Sequence, residues 1–180
     1  SFLRFLPNMT LFAPRDSKTL EYALEYAKDF ESPCALRYPR GAFDELEHEP
    51  TKFILGRSEV LHEGTSKIAF IGYGAGVGRA IKTANLCDQD ITIVDLRFVK
   101  PMDSVLLKEL SEHTDKWYVF SDSQKSGGVG SALLELISDE DLDVKVTSFE
   151  YKDVYVQHGD TKLLEEDLGI LPDQLAQKIR

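Results

Sequence analysis

Two glycine-dense strings, Gly72-Tyr73-Gly74-Ala75-Gly76-Val77-Gly78 and Ser126-Gly127-Gly128-Val129-Gly130, constrain the fold of this chain more than any other feature. Each follows an apolar run suited to a buried strand, residues 67–73 and 117–120. Each opens a segment with apolar residues at helical spacing: Ala80, Ile81, Ala84 and Cys87 after the first, Ala132, Leu133, Leu136 and Ile137 after the second. Strand, tight glycine turn and helix form the repeating unit of a parallel sheet, because parallel neighbours need a crossover connection and a helix supplies it. Further strands are predicted at 58–62, 91–94 and 144–149. A helix is predicted from Pro101 and Asp103 with Val105, Leu106 and Leu110 inward, and two short helices near 163–168 and 171–179 close the chain. The expected fold class is α/β, a three-layer αβα arrangement with a mostly parallel sheet covered on both faces.

The first forty residues have their own pattern. An apolar stretch at 9–12 is closed by Pro14, and Asp16 or Ser17 offers an oxygen to cap a helix. Leu20, Ala23, Leu24, Ala27 and Phe30 fall on one face of that helix, and residues 34–36 make a second strand, giving a right-handed parallel βαβ outline. Forty residues are too few to stand alone as a domain. Ser1-Phe2-Leu3-Arg4-Phe5-Leu6-Pro7 places large apolar side chains where a terminus is usually polar. The chain is therefore expected to be a piece that begins inside a folded domain, with Phe2, Leu3, Phe5 and Leu6 short of partners. Residues 42–52 carry Asp44, Glu45, Glu47, Glu49 and Pro50 and are expected to be a surface linker. The expected units are thus 1–41, a linker at 42–52, and 53–180.

With 21 Lys+Arg against 31 Asp+Glu the net charge is −10, and no window concentrates basic residues. Nucleic acid and anionic membrane surfaces are therefore disfavoured partners. No run approaches the ~18 apolar residues of a membrane span. Cys34 and Cys87 stand far apart with no zinc-ligand spacing and read as reduced thiols of a cytoplasmic protein.

Three places could carry chemistry. Gly72, Gly74 and Gly78 form GxGxxxG, and Asp95 lies 21 positions beyond Gly74. A dinucleotide site would use such glycines and such a carboxylate, but glycines also let a helix and a strand approach closely. Residues 126–130 could hold an anion on free helix N–H groups, or could simply pack tightly; no Lys follows the last glycine, so this is no nucleotide-hydrolase phosphate loop. Arg37 and Arg40 flank Tyr38-Pro39 at a strand's C-terminal end, where open α/β sheets bind ligands, and a guanidinium fork suits phosphate or carboxylate. His48, His62, His113 and His158 are scattered without a nucleophile and read as solvated.

Taken together, Leu3-Arg4-Phe5-Leu6-Pro7-Asn8-Met9, Ala13-Pro14-Arg15-Asp16, Leu36-Arg37-Tyr38-Pro39-Arg40-Gly41, Asp95-Leu96-Arg97-Phe98-Val99-Lys100-Pro101-Met102-Asp103, Gly127-Gly128-Val129-Gly130-Ser131 and Gln157-His158-Gly159 resemble, in this order, the 1-deoxy-D-xylulose-5-phosphate synthase family of transketolase-like thiamine-diphosphate enzymes. The resemblance covers essentially the whole chain. It implies that 1–41 is the tail of the pyrimidine-binding domain and that 53–180 is a transketolase-like C-terminal domain. It also implies the condensation of pyruvate with glyceraldehyde 3-phosphate with loss of carbon dioxide, for isoprenoid, thiamine and pyridoxal synthesis, in a homodimer using thiamine diphosphate and Mg2+. Arg40 matches the arginine that holds the aldehyde's phosphate, and Arg37 is its structural neighbour. No catalytic, cofactor or metal residue is expected in this chain, because the family's signatures for these lie before Ser1; the fragment is expected to bind no cofactor and to be inactive. Ser121-Asp122 departs from a Glu-Glu pair that family members often carry. Two alternatives remain open: the C-terminal domain of a 2-oxo-acid dehydrogenase first-component β subunit, and a non-enzymatic dimerisation or ligand-binding module.

Overall fold

A computed structural model describes residues 2–39 and 41–179. The alternating pattern after residue 53 folds into a five-stranded sheet. Its strands are β3 (Glu59–His62), β4 (Ile68–Gly72), β5 (Thr92–Asp95), β7 (Lys116–Gln124) and β8 (Lys145–Tyr151), in the order β3-β5-β4-β7-β8. All neighbours are parallel except the edge strand β3, which runs antiparallel to β5. Strand side chains alternate between faces, and β4 shows what each face meets. Ile68 and Phe70 pack with Ala80 of α2 (Gly76–Ala84) and Leu175 of α6 (Pro172–Ala176). Ala69 and Ile71 pack with Leu107 of α3 (Ser104–His113) and with Ala132 and Leu133 of α4 (Val129–Asp139). This is the expected three-layer arrangement. A further short helix, α5 (Thr161–Asp167), precedes α6. The glycines set the spacing between layers: a Cβ on Gly76 would fall on the Phe120 carbonyl, so only glycine lets α2 start flush against β7.

The N-terminal segment gives β1 (Thr10–Phe12), α1 (Ser17–Lys28) and β2 (Cys34–Leu36), with β1 and β2 parallel. Asp16, not Ser17, is the N-cap; its carboxylate accepts from the Thr19 N–H at 2.7 Å, while the Thr19 hydroxyl accepts from the Asp16 N–H. The buried face of α1 is Thr19 and Ala23, and Leu24 is exposed, which the periodicity had placed inward. Aromatic packing sets this rotation, since Tyr26 meets Phe12 edge-on at 5.3 Å and Phe98 at 5.6 Å. A similar correction applies to α3: Asp103 accepts from the Leu106 N–H and fixes the helix start so that Leu107 faces the sheet. Val105 then points about 200° away and is exposed.

One strand escaped the sequence reading. β6 (Phe98–Lys100) pairs antiparallel with β1, making a second sheet in the order β2-β1-β6. This sheet joins residues from both sides of the expected linker, and Leu11 and Ala13 share one core with Ala69 and Ile71. At the start of the chain, Phe2 and Phe5 are exposed, whereas Leu3 packs against that core. Among the described residues no helix is long and apolar enough to cross a membrane.

Candidate substrate-binding cleft

The C-terminal ends of both sets of parallel strands converge on one cleft of about 390 Å³, which lies between the end of β2, the end of β7 and the start of α4. Leu11, Leu36 and Val99 line it with apolar surface, and Arg37, Tyr38 and Tyr73 add polar groups. The chain leaves β2 with the Arg37 N–H donating to the Phe12 carbonyl at 3.0 Å, so the first residue of the Arg-Tyr-Pro-Arg-Gly string is tied to the sheet. The Arg37 guanidinium is half exposed and reaches the Asp122 carbonyl at 3.4 Å and carboxylate at 3.9 Å. Burial pushes the Tyr73 hydroxyl well above the usual phenol range, with Arg37 acting against that rise. Arg40 lies outside the described residues; Pro39 and Gly41 bracket it.

The wall opposite is shaped by an irregularity in β7. Phe120 pairs with Phe149 and Gln124 with Tyr151, so three residues of β7 stand where β8 has one. Such bulges re-aim side chains. Ser123 and Glu150 turn toward α4, where one Glu150 carboxylate oxygen accepts from the Val129 N–H at 2.9 Å, from the Gly130 N–H at 3.2 Å and from the Ser123 hydroxyl at 2.6 Å. The anion at this helix start is therefore the protein's own carboxylate, and close packing is the reading that holds for 126–130. A Cβ on Gly128 would fall on the Gln124 carbonyl. Glu150→Gln keeps the shape but removes the charge that accepts from two buried N–H donors, and should lower stability by about 1–3 kcal/mol in a denaturant titration.

Asp95 is likewise committed internally. It is fully buried in a cluster with Arg15, Asp16, Glu59 and Arg97. Arg15 lies 3.2 Å from Asp95, and both arginines bond Glu59. Burial pushes the Asp95 carboxyl up to about 6 against the pull of Arg97 and Arg15. Glu59 is less enclosed; there the two guanidiniums outweigh burial and hold its carboxyl below the ordinary value. Arg97, at φ 52° and with its guanidinium 4.9 Å over the Phe53 ring, completes the cluster. A carboxylate locked in this way is not available to a ribose, which removes the dinucleotide reading of Gly72, Gly74 and Gly78. The sequence reading missed Arg15, Glu59 and Arg97 as a group. Its one signal was the pair Asp95 and Arg97 flanking a buried Leu96.

Of the histidines, His62 pairs with Asp90 at 2.6 Å on the surface and His158 is exposed. Cys34 and Cys87 are free thiols, each half-buried.

Residues 56–175 match the family model described as transketolase, C-terminal domain, and the chain belongs to that family. Over its whole length it is similar to 1-deoxy-D-xylulose-5-phosphate synthases. It is 61% identical over 181 residues to that of Aliarcobacter butzleri and 54% identical over 183 residues to that of a Nitratiruptor species; in both cases 100% of this chain spans only 30% of the relative. Among solved structures, a split-gene transketolase described as an inactive beta4 tetramer superposes with a TM-score of 0.89 at 26% identity, over 97% of this chain and 58% of that one. The transketolase of Campylobacter jejuni shares the fold, with a TM-score of 0.74 at 14% identity over 98% of this chain and 27% of that one.

Proposed function

We propose that the chain is the C-terminal part of a 1-deoxy-D-xylulose-5-phosphate synthase and contributes the grip on the substrate phosphate. In this reading residues 1–41 complete the pyrimidine-binding domain, 42–52 link it onward, and 53–180 form the C-terminal domain. The 61% identity across the whole chain carries the reading. The position of Arg37 and Tyr38, which line a cleft where the C-terminal ends of the parallel strands meet, is consistent with it.

The full-length enzyme would be a cytoplasmic homodimer that joins pyruvate to glyceraldehyde 3-phosphate with release of carbon dioxide. Thiamine diphosphate with Mg2+ supplies the carbanion chemistry when bound. The described residues do not fit that cofactor. No group of three or more His, Cys, Asp or Glu among them could hold its metal ion, the α4 N–H groups are taken by Glu150, and Asp95 is held by two arginines. The groups that hold it are assigned to the rest of the enzyme, and the isolated chain to an inactive state.

What this chain supplies is a charged contact remote from the reacting carbon. The Arg40 guanidinium presents paired donors to the phosphate, and binding energy spent there orients the aldehyde for attack. The full-length protein, given pyruvate, glyceraldehyde 3-phosphate, thiamine diphosphate and Mg2+, should release carbon dioxide and form 1-deoxy-D-xylulose 5-phosphate one to one. Carbon dioxide release without a phosphorylated product would refute the assignment.

A further inference from the structure

We propose that the cleft between the two sheets binds a small organic carboxylate, its apolar body against Leu11, Leu36 and Val99 and its charged end held by the Tyr73 hydroxyl and the Arg37 guanidinium. This goes beyond the reading of Arg40 and does not depend on it. The first observation is position. From β4 the chain passes through α2 to β5 on one side, and through α3 it returns to β7 on the other side of β4. The crevice beyond the carboxyl ends of two such strands is a topological switch point, the place where open α/β sheets bind ligands. Tyr73 directly follows β4, Ser123 and Gln124 end β7, and all three line the cleft.

The second observation is Tyr73 itself. It is 5% exposed and belongs to the core that holds Leu11 and Val129. Its N–H donates to the Phe120 carbonyl at 3.0 Å and its carbonyl accepts from the Gly76 N–H at 3.2 Å, so the ring stands on a fixed backbone. A buried tyrosine usually finds a partner for its hydroxyl. Among the described residues nothing bonds the hydroxyl of Tyr73, yet it is not sealed in the interior as the unpaired hydroxyl of Tyr26 is. It therefore opens into the cleft that Tyr73 lines. Burial pushes this hydroxyl well above the usual phenol range, so it stays protonated and donates; Arg37 works against that rise, which puts its charge beside the same end of the cleft. Charge then decides the class of ligand. The cations of the lining are Arg4 and Arg37, and no Asp or Glu lines the cleft among the described residues. Arg4 is already paired with Glu135, while Arg37 meets the Asp122 carboxylate only at 3.9 Å. One partly compensated guanidinium suits a monoanion, whereas the two charges of a phosphate ester would stand partly unpaired. A carboxylate accepts from a guanidinium and a phenol together. At about 390 Å³ the space is near the lower end of the about 300–1,000 Å³ typical of organic-ligand pockets, so the ligand is compact.

Ligand-observed NMR titration of the full-length enzyme tests this without turnover. The probe is 3-phenylpropionate, with 3-phenylpropan-1-ol as its neutral counterpart and phenyl phosphate as a dianionic one. 3-Phenylpropionate should bind with a Kd of about 0.1–1 mM, and at least about fivefold more tightly than either counterpart. Tyr73→Phe keeps the buried ring and should weaken the carboxylate about 5- to 10-fold; Arg37→Met, at a half-exposed side chain, should weaken it about 10-fold or more. The alcohol should bind both variants as it binds the parent, since neither substitution touches the apolar walls. Absence of binding, equal binding of the three probes, or a preference for phenyl phosphate would overturn the proposal. So would a carboxylate affinity that either substitution leaves unchanged, or parallel losses for the alcohol. Because nothing turns over, such a failure leaves the Arg40 reading standing, and a failure of that reading appears in the kinetics of Arg40→Ala alone.

Discussion

Arg15→Met should lower the stability of the chain by about 3–5 kcal/mol, the largest loss expected from any single side chain that contacts no substrate. The Arg15 side chain is fully buried and faces Asp16, Glu59 and Asp95 together. Methionine fills similar space but leaves Glu59 and Asp95 to Arg97 alone and takes from Asp16 its ion-pair partner, and Asp95 has no solvent to turn to. Arg15 also donates to the carbonyls of His48 and Glu49 at 3.3 and 3.5 Å, so the substitution removes two of the ties that hold the acidic segment 42–52 to the body of the fold as well. Lys82→Ala is the matching control. It breaks an ion pair with Asp44 whose two side chains are both about half exposed, and surface pairs of this kind are worth about 0–1 kcal/mol. Urea titration of the two variants beside the parent chain measures the difference. A loss for Arg15→Met no greater than that for Lys82→Ala would mean that the buried cluster does not hold the two sheets together.

The same cluster shows why some of this molecule was legible in its sequence and some was not. Strand and helix order could be read because local periodicity reports on each element's own buried face. The strands read at 67–73, 91–94 and 117–120 needed no knowledge of distant residues, while the extension of the last of them through the irregularity to Gln124 was not read. Rotation about a helix axis is less local: Leu24 and Val105 were misplaced because Tyr26 packing and the Asp103 cap, respectively, turn their helices. The strand Phe98–Lys100 was invisible because its partner, Thr10–Phe12, lies far away in the chain, and three residues before a proline carry little strand signal of their own. The ion cluster was invisible for the same reason, since its members come from well-separated stretches of the chain. Asp122 could be noticed as unusual but not understood, because its partner Arg79, and the Glu165 that shares Arg79, are neighbours only in the folded chain. Residues 126–130 illustrate the opposite limit. The helix start was legible, and what occupies it, Glu150 from the following strand, was not.

A second large effect is expected at Arg40, and it tests the central claim most directly. A charge-assisted contact to a phosphate contributes about 1.5–3 kcal/mol, so its loss translates into about a 10- to 100-fold rise in KM. Specificity for the phosphorylated acceptor should fall with it, because the proposed contact is to the phosphate and not to the aldehyde. Pyruvate carries no phosphate for such a contact to hold, so its KM should stay within about twofold of the wild type. The decisive measurement is steady-state kinetics of Arg40→Ala in the full-length enzyme, with both substrates varied. A selective rise in KM for glyceraldehyde 3-phosphate is the predicted result; an equal rise for both substrates, or none for either, would contradict the assignment of this chain as the part that grips the substrate phosphate.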